Sequence, residues 1–157
     1  MARTLACAWA LSLLTLIALP GAWATDEIAF EVPLENVIEL QLGSKSNQMR
    51  FFPGRIVLRA GERYLLSMTN PSPVTHEFAS ETFASHVVTD YVRFFDSGGN
   101  LVGYVVGDVR EVELLPGNRV EWMFSTTTAA ETIDLICDIP GHRDLGMVGE
   151  IQIRPSP

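Results

Sequence analysis

TIDLICDIPGHRDLGMVGEIQI, residues 132–153, reads as two β segments, TIDLIC (132–137) and VGEIQI (148–153), joined by a loop that carries Cys137, His142 and Met147. Apolar residues recur at every second position in both segments, as expected of strands with one buried face. The Pro140-Gly141 pair lets the chain reverse after the cysteine, and Gly146 gives the backbone room to return at Met147.

Outward from this loop, the chain repeats the same pattern. Strands are expected at IAFEV (28–32), NVIELQL (36–42), RIVLRA (55–60), RYLLSMT (63–69), VTHEFA (74–79), VREVEL (109–114) and RVEWMFS (119–125). Gly and Pro punctuation separates them, at Pro53-Gly54, Ala60-Gly61, Asn70 to Pro73, Ser97 to Asn100 and Pro116-Gly117. Short strands at such spacing predict an all-β sandwich with Greek-key connections. The segments 56–68 and 112–124 echo each other and read as two similar hairpins. The stretch 80–108 reads either as a short helix over 80–95 or as a strand with a long excursion.

The first 24 residues, MARTLACAWALSLLTLIALPGAWA, carry Arg3, an apolar run and the small-x-small pattern Ala22-Trp23-Ala24. They predict a cleaved secretory signal, with residues 25–157 as a single domain. The apolar run is short for a membrane span and ends at Pro20-Gly21, so a soluble, periplasmic or otherwise exported protein is expected. Cleavage would remove Cys7 and leave Cys137 as the lone cysteine. In an oxidising compartment such a thiol is a buried core group, half of a disulfide with a partner, a nucleophile or a metal thiolate.

The ligand inventory narrows the last of these. The chain has His76, His86 and His142, and beyond the leader Met49, Met68, Met123 and Met147. Zinc prefers four nitrogen, thiolate or carboxylate ligands. Two imidazoles, one thiolate and a weak axial thioether form instead the ligand set of a blue-copper centre, and Cys137, His142 and Met147 supply three of the four.

The ordered set FFPGRIVLRAGERYLLSMTNPSPVTHEF (51–78), LLPGNRVEWMF (114–124) and TIDLICDIPGHRDLGMVGEIQI resembles the cupredoxins, the secreted type 1 copper proteins that include plastocyanin, azurin and rusticyanin. C-x4-H-x4-M entering the last strand is the most specific part, and T-H-E-F stands in the position of the first ligand histidine. The resemblance implies one type 1 copper per chain, held by His76, Cys137, His142 and Met147. His86, in ASHVVTD with no partner at ligand spacing, reads as a surface or packing histidine. One departure stands out: cupredoxins commonly have Asn or Ser after the first ligand, and here the residue is Glu77. An ionised Glu77 beside the metal would favour Cu(II), whereas one turned outward would do little.

These readings point to a one-electron carrier, or alternatively to a copper-handling protein of storage, resistance or delivery. An enzyme is not expected, because three histidines cannot supply the further copper centres of a multicopper oxidase or nitrite reductase. The net charge of −8, or −9 once Arg3 is removed, argues against a nucleic-acid partner. It suits a basic redox partner such as a cytochrome c, the protein itself being a monomer without membrane insertion. Leu145 and Val148 are candidates for a small apolar patch beside His142.

Overall fold

A computed structural model describes residues 36–157; the expected leader over 1–24 and the strand expected over 28–32 lie outside them. Two β-sheets pack face to face. The first is built from β1 (Val37–Leu42), β2 (Phe51–Phe52), β4 (Arg63–Thr69), β6 (Val87–Phe95), β7 (Leu101–Val105) and β9 (Arg119–Thr126), in the order β2-β1-β4-β9-β6-β7. The second uses β3 (Arg55–Arg59), β5 (His76–Ala79), β8 (Glu111–Leu114), β10 (Ala130–Ile136) and β11 (Val148–Arg154), in the order β3-β11-β10-β5-β8. The expected all-β sandwich is thus observed, and its non-consecutive neighbours β4·β9 and β10·β5 are those of a Greek-key path.

Period-two patterning explains the core. In β3, Ile56 and Leu58 point inward while Arg55, Val57 and Arg59 stay exposed. Across the sandwich, Leu40, Leu42, Leu66, Trp122 and Phe124 meet Phe78, Ile133, Leu135, Ile151 and Ile153 in one buried cluster. Trp122 lies edge-on to Phe78, Phe83 and Phe124, with centroids 5.5–5.8 Å apart.

The two expected hairpins are instead arches between sheets. β3 belongs to the second sheet and β4 to the first, and β8 and β9 divide in the same way. The first arch is fastened to both layers: Ala60 N–H donates to the Arg154 carbonyl beside β3, and Gly61 N–H donates to the Thr126 carbonyl at the end of β9. A glycine turn between two amphipathic strands looks the same in sequence whether it closes a hairpin or crosses the core. Only the long-range partners decide.

The 80–108 stretch combines both expected alternatives in reduced form. A four-residue helix α1 (Glu81–Ala84) is capped by Ser80, whose hydroxyl accepts the Phe83 N–H and donates to the Asp134 carbonyl. β6 follows, then a turn in which Asp96 Oδ1 accepts the N–H groups of Gly98 and Asn100, and β7 closes the edge. Phe83, 1% exposed, plugs α1 into the aromatic cluster.

Candidate metal centre

Strand register brings distant residues to one end of the second sheet. β10 pairs with β5 through Ile136 and Ala79, and with β11 through Ile136 and Val148. Continuing those ladders by one or two residues sets Asp138 opposite Glu77 and Cys137 opposite Met147. The hydrogen bonds agree: Cys137 N–H donates to the Met147 carbonyl at 3.2 Å, and Asp138 N–H donates to Glu77 Oε2 at 3.0 Å. Inside the loop, His142 N–H donates to the Ile139 carbonyl and Met147 N–H to the His142 carbonyl, so the histidine is fixed from both sides. Gly141 and Gly146 take φ values of +84° and +99°, the left-handed conformations this tight path needs.

His76, Cys137 and His142 come together: one ligand atom from each lies within 4.8 Å of the others. Cys137 Sγ is 3.2 Å from His142 Nδ1, and the two imidazole centroids are 5.1 Å apart. His76, Cys137 and Met147 are fully buried, and His142 is partly exposed. His86 lies elsewhere, at the end of α1, with Nδ1 2.8 Å from the Thr82 carbonyl.

The electrostatics are those of a sheltered site. Burial, with the neighbouring His142, lowers the pKa of His76 to about 4, so the ring is neutral near pH 7. Burial raises that of Cys137, against backbone N–H groups of Ile139 and Glu77 that favour the thiolate. Glu77 is neither free beside the site nor turned to solvent. It is buried, tied to the loop through Asp138 and hydrogen-bonded to Glu111; burial first, then Glu111, raises its pKa to about 7.

Do these residues fit copper? Both ring nitrogens of His76 are buried without a hydrogen-bond partner among the described residues, an arrangement a bound metal would relieve on one of them. A thiolate with two imidazoles suits both copper oxidation states. The donor set fits, with Met147 buried alongside and joined to Cys137 through the backbone. The sequence reading overlooked Glu111 as the partner of Glu77 and Asn70 as the anchor of the loop before His76, where Asn70 Nδ2 donates to the Val74 and Leu114 carbonyls. The Asn-Pro-Ser-Pro turn was the available signal for the second.

The fold is of the cupredoxin class. Among solved structures it is similar to a multicopper oxidase from Campylobacter jejuni (TM-score 0.57, 15% identity, 79% of this chain and 30% of that one). It is likewise similar to the auracyanin of Roseiflexus castenholzii (TM-score 0.50, 14% identity), covering 81% of this chain and all of that one. The copper nitrite reductase of Nitrosomonas europaea gives a TM-score of 0.57 at 11% identity, over 82% of this chain and 52% of that one. In sequence the chain is 32% identical over 109 residues to the copper-resistant cuproprotein CopI of Rubrivivax gelatinosus, across 69% of this chain. It spans 62% of the length of that relative. No protein-family profile matches the chain.

Proposed function

We propose that the chain is an exported, monomeric type 1 copper protein that works in copper handling, with one copper per chain held by His76, Cys137, His142 and Met147. The observation that carries this is the convergence of a buried thiol and two imidazoles within 4.8 Å at one end of a cupredoxin sandwich. Similarity to a protein described as a copper-resistant cuproprotein favours handling over the carrier role preferred on sequence alone.

Copper bound there supplies a one-electron Cu(I)/Cu(II) couple. The chain's own contribution is a rigid donor set. The strand ladders hold Cys137 and His76, two backbone hydrogen bonds hold His142, and the N–H groups of Glu77 and Ile139 stabilise the thiolate. Donors held by the backbone in this way would let copper change oxidation state with little rearrangement. No catalytic activity is assigned, since the three histidines of the chain leave no second copper centre.

A second reading, the one-electron carrier, is favoured by the exposure around the loop: Leu145 is 67% and Val148 49% exposed near the half-buried His142. Such a surface suits brief contact with a basic partner such as a cytochrome c.

Deletion of the gene and complementation separate the two. If the protein handles copper, the deletion strain becomes copper-sensitive, and wild type restores growth while Cys137→Ala does not. If it is a carrier, copper tolerance is unchanged and the purified protein exchanges electrons rapidly with a basic cytochrome, at a rate that falls with salt.

A further inference from the structure

The His76 ring rests against a residue that the ligand loop does not contain. β1 ends at Leu42 and the chain turns at Gly43, where φ is +73° and the N–H donates to the Arg50 carbonyl at 2.8 Å. A methyl group on Gly43 would lie 2.3 Å from His76 Nε2, 2.7 Å from His76 Cδ2 and 2.9 Å from Ser72 Cβ. All three are well inside van der Waals contact. The Nε2–Cδ2 edge of the imidazole therefore lies directly on the Gly43 backbone. Nδ1, across the ring from that edge, is the nitrogen left to bind.

The surroundings cannot give way easily. Ser72 is 2% exposed; its hydroxyl donates to Asn47 Oδ1 and accepts the Val74 N–H, and its own N–H donates to Asn70 Oδ1. Metal-binding histidines usually owe their orientation to a hydrogen bond from the ring nitrogen that does not bind. His76 Nε2 has no such partner among the described residues. Steric contact with Gly43 takes the place of that bond.

We propose that Gly43 is a positioning residue for the metal centre: its missing side chain is what allows the His76 ring to stand with Nδ1 on the side of Cys137 and His142. This inference rests on the copper reading above. The substitution Gly43→Ala introduces three perturbations: backbone strain at positive φ, collision with the ring and a close approach to Ser72 Cβ. Gly61→Ala is the control for the first, because Gly61 has φ +78° but its nearest contact would be Ser156 Oγ at 3.8 Å.

Two readouts are needed. In the metal-free protein, the His76 ring-proton resonances should shift in Gly43→Ala and stay in place in Gly61→Ala. With Cu(II), Gly43→Ala should bind about 10–100-fold more weakly and with an altered visible spectrum, while Gly61→Ala binds as wild type. Unchanged His76 resonances together with wild-type copper affinity in Gly43→Ala would overturn the proposal. If wild type itself fails to bind copper, the copper reading falls, and the ring resonances alone decide on Gly43. If Gly43→Ala does not fold, adding Ser72→Gly and then His76→Ala removes in turn the two side chains that the methyl meets. Recovery that requires His76→Ala supports the contact; recovery with Ser72→Gly alone, or continued failure with both, overturns it.

Discussion

Glu77 offers a test of the wiring between β5 and the ligand loop. Its carboxyl accepts the Asp138 N–H at 3.0 Å and shares a hydrogen bond with Glu111, a bond that requires a proton on one of the two acids. Glutamine at position 77 keeps an acceptor for Asp138, supplies a permanent donor to Glu111 and carries no charge. Glu77→Gln therefore mimics the protonated state at every pH. The folded-state pKa of Glu77 is raised, to about 7 against 4.5, so the folded chain binds this proton more tightly than the unfolded one. Its contribution to stability is complete below about pH 4.5 and is lost as pH rises through about 7. Wild type and variant should have similar stability at pH 4, and the variant should be more stable at pH 8, by roughly 1–3 kcal/mol at one pKa unit per 1.36 kcal/mol. Urea unfolding of the metal-free proteins at pH 4, 6 and 8 measures the difference directly. Comparison with the variant is essential, because the lowered pKa of His76 produces the opposite slope between about pH 6.5 and 4. A difference that fails to grow with pH, or a less stable Glu77→Gln at pH 8, would refute the shared-proton arrangement.

The site predicts a clear contrast between histidines: His76→Ala should bleach or shift the visible spectrum of the copper-loaded protein, and His86→Ala should leave it unchanged. Phe83→Ala removes the plug between α1 and the aromatic cluster; thermal or urea unfolding should register a loss of about 3–5 kcal/mol. Glu77→Ala deletes the acceptor for the Asp138 N–H, which is only partly buried, so the cost should be near 1 kcal/mol at pH 4. By double-mutant cycle with Glu111→Ala, coupling should be appreciable at that pH and absent if the two acids do not touch.

Much of the sandwich was legible because its core strands obey period-two alternation, as Arg55 to Arg59 and Val148 to Arg154 show. β6 was not, for a physical reason: a bulge between Thr89 and Tyr91 breaks its alternation, and most of its side chains are half-buried on both faces. β7 is an edge strand with Leu101, Val102 and Tyr104 all 57–62% exposed, so no buried face imprints a pattern on it. In the ligand loop, Cys137, His142 and Met147 were readable together because eleven residues hold all three. His76 lies 61 residues before Cys137, and only family resemblance pointed to it; the β5·β10 register that joins them is a property of the folded sheet. Gly43 was illegible for the same reason. Nothing in Leu42-Gly43-Ser44 signals an imidazole above it.

The central claim is a copper-thiolate bond at Cys137, and the visible absorption of the protein titrated with Cu(II) tests it most directly. A copper-thiolate bond gives intense charge-transfer absorption, so the wild-type protein should turn strongly blue or green and saturate at one copper per chain. Cys137→Ala, still folded by circular dichroism, should remain colourless in the same titration. A wild-type protein that stays colourless with bound Cu(II), or a Cys137→Ala variant that keeps the band, would contradict the account.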